Sequence, residues 1–253
     1  MPHRVPNPHQ EALWEHPDSD ARLKKRIVRS LIRRLESAHL LKLSPRAFFG
    51  LIYKYNYWGG ASSRSGRGSE GAQADQKIEF ISELVEELLV QNVLDIGCGD
   101  LYWMRHVVPR LGRYLGVDVV PALIARNQQT YRGEHIHFLC ADLTRANPED
   151  FKSISALGPW DLIMALDIFG HLLNREMDAM LDFVLKYSGA RYFMVTNSRD
   201  DHSRDFLMRP KSRHQTVDLE AHPLFIKRQP KRIKEVATLE PAEFFDVYAL
   251  RDQ

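Results

Sequence analysis

Cysteine is nearly absent: Cys98 and Cys140 are the only two in 253 residues. So few, so far apart, give neither a metal-ligand spacing nor a disulfide framework. Long apolar runs are missing as well. No window approaches the roughly 20 apolar residues of a membrane span. The opening MPHRVPNPHQEALWEHPDSD lacks the apolar stretch of a signal peptide. Nor is one sign of charge in excess, since 35 basic and 33 acidic residues leave +2, too little to point to nucleic acid. These absences read as a soluble cytoplasmic chain that binds no metal. With 44% hydrophobic residues, the chain can build one sizeable core.

Residues 20–42 place Leu23, Ile27, Leu31 and Leu35 at helical spacing, with Arg22, Lys24, Lys25, Arg26, Arg29, Arg33 and Arg34 on the other faces. Such a basic surface is either solvated or a match for an acidic partner or an anionic membrane. Residues 53–71, YKYNYWGGASSRSGRGSEG, read as a loop, and the aromatics that open it suit a lid over a cofactor better than a plain linker.

From residue 74 the pattern becomes regular. An amphipathic helix is expected over 74–90, with Ile78, Ile81, Val85 and Leu88 on one face. Strands are expected at 92–97, 113–120, 136–143, 160–169 and 191–197, with helical segments at 101–111, after Pro121 and at 174–189. Strand and helix in alternation mean parallel strands with crossover helices, buried on both faces. Residues 198–253 are less regular and close on the strand-like FFDVYALR.

In an open parallel sheet, ligands sit beyond the carboxyl ends of the strands. The ends here carry acids: Asp95 ahead of Gly97 and Gly99, then Asp118, Asp142 and Asp167, with His171 just after. Any one of them could be an ordinary cap or turn residue. As an ordered set they read differently, because Asp118 follows Asp95 by 23 residues, near the spacing of an acid that takes ribose hydroxyls. A dinucleotide loop wants a third glycine where Tyr102 stands. A nucleoside without a pyrophosphate needs no such cradle, and S-adenosylmethionine is the cofactor that fits.

The segments VLDIGCGD, YLGVDVV, FLCADL and DLIMALDIFGHL together resemble a class I S-adenosylmethionine-dependent methyltransferase. Two further stretches are similar to a bacterial subgroup that tailors small molecules or sugars. One is Tyr57, Trp58 and Gly59 with Ser63, Ser65, Gly66, Gly68 and Ser69; the other is Cys98, Gly99 and Asp100 with Trp103 and Met104. The wider family often has a glycine where Leu101 stands, which the subgroup also lacks, and KSRHQTVDLEAHPLF matches the subgroup's late segment only loosely.

The resemblance implies an α/β, Rossmann-like fold: a seven-stranded, mostly parallel sheet flanked by helices. Residues 1–72 would be an N-terminal helical extension with a Gly/Ser-rich cofactor loop, and 73–253 the methyltransferase domain. It implies that Trp58, Arg64 and Ser65 face the cofactor from the loop. Asp95, Gly97, Cys98 and Gly99 would meet its methionine part, Asp118 its ribose, Val119, Asp142 and Leu143 its adenine, and Ala165 to Asp167 would lie along it.

Methyl transfer to an alcohol benefits from a base. His171 is the candidate, since imidazole titrates near neutrality, with Asp167 as the group that orients it or takes the proton itself. Packing at a helix start is the structural alternative for His171. Arg199, Arg204, Arg209, Lys211 and Arg213, with His202 among them, suggest an anionic acceptor, unless Asp200, Asp201 and Asp205 neutralise them. A nucleic-acid methyltransferase and an inactive cofactor-binding scaffold are the rival functions; a nicotinamide enzyme is disfavoured by Tyr102.

Overall fold

The computed structural model describes residues 26–27, 30–31, 43–145, 147–199, 217–240 and 242–250. The basic helix expected at 20–42 lies almost wholly outside them; its described residues, Arg26, Ile27, Ser30 and Leu31, are helical and exposed. The cations at 204–213 and His202 also lie outside the described residues.

Strands β1 (Asn92–Ile96), β2 (Arg113–Asp118), β3 (Ile136–Cys140), β4 (Leu162–Ala165) and β5 (Tyr192–Ser198) are parallel. Strands β6 (Lys231–Ala237) and β7 (Glu243–Ala249) complete a seven-stranded sheet in the order β3-β2-β1-β4-β5-β7-β6, with β7 antiparallel to both its neighbours. The apolar runs split by alternation onto the two faces. Leu94, Ile96, Leu115, Val117, Ile163 and Phe193 join one core, while Val93, Tyr114, Leu162, Met164 and Met194 join the other. Helix α2 (Gly71–Glu87) covers the second face through Phe80, Ile81 and Leu84, with Ile124 of α3 (Pro121–Thr130) beside it. On the first face lie α4 (Pro148–Ala156), α5 (Asn174–Asp182) and α6 (Pro223–Arg228), which contribute Phe151, Met177, Met180 and Phe225. Helix α5 runs on into a π-helical turn, Phe183–Tyr187.

Several expectations are corrected. Residues 53–55, read as loop, end a helix, α1 (Pro45–Tyr55), capped by Ser44 and closed by Asn56 at φ 44°. The segment 101–111 is not an α-helix but two 3-10 turns, Met104–His106 and Val108–Arg110. Leu101 takes φ 60°, which no helix continues through, and Pro109 has no N–H for a helical ladder. The fourth strand stops at Ala165, because Asp167 turns the backbone to φ 57°.

Beyond β5 the chain is pinned on both sides of the segment 200–216. The Ser198 N–H donates to the Val217 carbonyl at 2.9 Å, and the Leu219 N–H to Asn197 Oδ1 at 2.8 Å.

Candidate active site

The carboxyl ends of β1, β2, β3 and β4 open into one cavity of about 550 Å³, a size that suits a small ligand or cofactor. The turn after β1 forms its floor. Gly97 and Gly99 have φ 70° and 59°, conformations that glycine adopts without a steric penalty. The turn folds back onto β2, the Gly97 and Cys98 N–H groups donating to the Val117 carbonyl at 2.7 and 3.1 Å. A Cβ at Gly97 would lie 2.5 Å from Ile168 Cδ1; one at Gly99 would lie 2.4 Å from Ser65 Oγ and 2.9 Å from the Tyr53 hydroxyl. Backbone therefore stands where side chains cannot, held between the β4 turn and the Gly/Ser-rich loop. Asn127 of α3 fixes it from behind, donating to the Gly99 carbonyl at 2.8 Å.

Asp118 is buried, and accepts from the N–H groups of Gly99 (3.2 Å) and Val120 (3.0 Å). Burial nonetheless pushes its carboxyl up to about 6, against those amides. Asp95 accepts from the Tyr114 hydroxyl at 2.7 Å. Its burial, with the Asp118 charge adding to it, pushes the carboxyl up to about 7. Burial also pushes the Cys98 thiol up, with the charges of Asp118, Asp95 and Asp100 adding to it, which disfavours the thiolate. Asp142 accepts from the Thr144 N–H (3.1 Å) and hydroxyl (2.5 Å) and pairs with Arg145 at 3.2 Å. Val119 and Leu143 provide apolar wall beside these acids.

The loop is clamped by two carboxylates. Asp100, directly after the glycine turn, is buried and accepts from the hydroxyls of Ser63 (3.0 Å) and Ser65 (3.1 Å) and from the Arg64 N–H (2.7 Å). Glu70 accepts from the N–H groups of Ala61 (3.0 Å), Ser62 (2.5 Å) and Ser63. Ser63 and Ser65, 37 and 35 residues before Asp100 in sequence, are thus one hydrogen-bonded unit with the C-G-D run. Tyr53 of α1 joins it through Ser65 at 2.8 Å.

His171 lies in the 3-10 turn Phe169–His171, buried but lining the cavity. Its ring faces Trp58 at 5.5 Å with a 31° tilt and meets Phe49 edge-on at 6.1 Å. Phe49 and Trp58 pack in turn with Tyr53 and Val119. This makes an aromatic half of the cavity under α1. The other half is polar: Arg67, Gln73, Gln76, Lys77, Asp167, Glu240 and Glu243 line it, with Trp103 and Phe245. Asp167 is held there by the Thr196 hydroxyl (2.8 Å) and by Lys77 (2.5 Å).

Most residues expected at the cofactor line this cavity: Trp58, Ser65, Asp95, Gly97, Cys98, Gly99, Asp118, Val119, Asp142 and Leu143, with His171 and Asp167. Arg64 and Ala165 do not. The Arg64 guanidinium donates to the Tyr53 carbonyl at 2.9 Å, and burial together with the Arg126 charge lowers it to about 10. Ala165 faces the core, and Leu166 and Asp167 line the cavity after it. Arg199, expected near an acceptor, gives its charge to Asp246 (2.9 and 3.0 Å) and Glu235 instead. Tyr53, Glu70, Lys77 and the anchoring role of Asp100 were not read from sequence. The one signal for Tyr53, Glu70 and Asp100 was an acid or a hydroxyl near a Gly/Ser run; Lys77, inside an amphipathic helix, gave none.

No curated protein matches the sequence. Residues 94–187 match the family model described as a methyltransferase domain. Three similar solved structures span the same fold. N-methyltransferase NodS from Bradyrhizobium japonicum, in complex with S-adenosyl-L-homocysteine, is 16% identical over 78% of this chain and 97% of that one, with a TM-score of 0.58. The methyltransferase domain of bacterial CtHen1-CN is 13% identical over 69% of this chain and 98% of its own, with a TM-score of 0.53. An S-adenosylmethionine-dependent methyltransferase from Clostridium acetobutylicum is 12% identical over 70% and 91%, with a TM-score of 0.51.

Proposed function

We propose that this chain, built around a methyltransferase domain, transfers a methyl group from S-adenosylmethionine to an oxygen of a small hydroxylated acceptor such as a sugar. The observation that carries the reading is the cavity itself: Asp95, Asp118 and Asp142 converge beyond a turn that carries no side chain at Gly97 and Gly99. A pyrophosphate would meet carboxylates there. A cofactor with an α-ammonium group and a ribose diol meets hydrogen-bond acceptors instead.

When bound, S-adenosylmethionine supplies a methyl group on a sulfonium, whose departure leaves a neutral thioether. The chain's own part is to bind, orient and exclude water. Asp118, oriented by the amides of Gly99 and Val120, would take the ribose hydroxyls. Asp95 and the Gly97–Gly99 backbone would hold the amino acid end, with Trp58 and Ser65 closing over it. The apolar slot at Val119 and Leu143 suits adenine, with Asp142 at its edge. His171 and Asp167 both line the cavity, and we assign His171 to hold a proton in transfer and Asp167 to orient the acceptor's hydroxyl. Among the described residues, six acids line the cavity beside two cations, Arg67 and Lys77, and Lys77 is already paired. Among these described residues the balance favours a neutral acceptor.

Calorimetric titration with S-adenosylmethionine, S-adenosylhomocysteine and NAD, on wild type and Asp118→Ala, tests the reading. Micromolar binding of the first two, at least about tenfold weaker in the variant, is expected. Binding of NAD alone would overturn it. Tight cofactor binding without methyl transfer to any of a broad panel of sugars and small alcohols would favour a scaffold.

A further inference from the structure

We propose that Lys77 is a positioning residue that couples closure of the Gly/Ser-rich loop to the orientation of the Asp167 carboxylate. Lys77 belongs to the first half of α2, and its side chain is only 4% exposed. A buried ammonium must be paired and hydrogen-bonded. Its Nζ donates to the Gly68 carbonyl at 2.8 Å and to Asp167 Oδ2 at 2.5 Å, and stands 5.7 Å from the centre of the Trp103 ring. One cation therefore joins the loop, the end of β4 and the turn after β1.

Asp167 is set up to be held this way. At φ 57° it is a non-glycine residue in the left-handed region, strain of the kind that functional sites retain. The Thr196 hydroxyl accepts from the Asp167 N–H at 3.1 Å and donates to Oδ1 at 2.8 Å. With Lys77 on Oδ2, both carboxylate oxygens are fixed. The loop lies directly over the pair: a Cβ at Gly68 would be 3.5 Å from Asp167 Oδ2 and 3.9 Å from Lys77 Nζ. Without the ammonium, the Gly68 carbonyl and the Asp167 carboxylate would face each other as two acceptors. The loop would then lift and the carboxylate turn. With it, the loop that covers the cofactor cavity and the carboxylate that faces the polar half move as one unit. What Asp167 does in transfer rests on the proposed function; the coupling does not.

The test is amide hydrogen exchange of the peptide spanning 59–71 in the ligand-free protein, for wild type, Lys77→Met, Lys77→Arg, Asp167→Asn and the Lys77→Met/Asp167→Asn double variant. Loss of a charged hydrogen bond predicts exchange at least about tenfold faster in Lys77→Met. Asp167→Asn should also loosen the peptide, but add little on top of Lys77→Met. Lys77→Arg should restore part of the protection. Melting temperature separates this from general destabilisation, which would speed exchange across β1 and β4 as well. Unchanged loop exchange in Lys77→Met, or effects of the two substitutions that simply add, would overturn the proposal. Parallel titration with S-adenosylhomocysteine should show weaker binding in Lys77→Met than in Lys77→Arg. Failure of wild type to bind it would refute the cofactor reading and leave the exchange comparison to decide the coupling.

Discussion

Replacing Asp95 by asparagine should make the ligand-free protein more stable above neutral pH and weaken its hold on the cofactor. The folded chain pushes the Asp95 carboxyl up to about 7, whereas an unfolded aspartate titrates near about 3.9. Between those values the folded state keeps a proton that the unfolded state has released. Stability from this group is therefore complete below about pH 4 and is lost as pH rises through about 7. Above that the loss is about 4 kcal/mol, at about 1.36 kcal/mol for each pH unit between the two values. Asparagine keeps an acceptor for the Tyr114 hydroxyl but cannot ionise. At roughly 2–4 °C per kcal/mol for a chain of this size, Asp95→Asn should melt about 10 °C above wild type at pH 8. The difference should shrink toward zero near pH 4.5. Scanning calorimetry at the two pH values measures both, and titration with S-adenosylhomocysteine at pH 8 measures the functional loss. A variant that melts below wild type at pH 8, or by the same margin at both pH values, would refute the reasoning.

Asp100→Ala removes the acceptor of the Ser63 hydroxyl proton and of the Arg64 N–H, while Ser63 Oγ still accepts from the Ser65 N–H and Ser65 keeps Tyr53. At about 1–3 kcal/mol per buried donor, the loop should open rather than the fold melt, so S-adenosylhomocysteine affinity should fall at least about tenfold in calorimetry, and less in Asp100→Asn. Leu101 combines φ 60° with a buried side chain. Glycine relieves about 1–2 kcal/mol of strain that alanine keeps, while both lose the leucine's burial. Urea denaturation should thus rank wild type above Leu101→Gly and Leu101→Gly at or above Leu101→Ala, the reverse of the usual order of alanine and glycine in regular structure. His171→Ala should lower methyl transfer to an accepted substrate more than cofactor affinity; unchanged turnover would remove His171 from the chemistry.

The central strands were readable because burial on both faces left them as apolar runs. Strand β6 was not: Lys231–Ala237 is a sheet edge, largely exposed, and its KRIKEVA carries too much charge to read as a strand. Leu101 also hid its conformation, since a leucine gives no hint of a left-handed turn. At the site, the acids could be read because each stands alone at the end of an apolar run. Their partners could not. Lys77 and Asp167 are 90 residues apart, and Ser63 and Asp100 are 37 apart, so no local pattern links them. Arg199 misled for the same reason: its charge is spent on Asp246, 47 residues on.

The pinned ends beside β5 bear on how such a chain can diversify. Ser198 with Val217, and Asn197 with Leu219, fasten the entrance and exit of the segment 200–216 to the sheet. Closing a longer loop between fixed ends adds only about 0.6 kcal/mol for each doubling of its length. A change in the length of chain between these two fixed ends should therefore cost the sheet little, which urea denaturation of a variant lengthened there would measure.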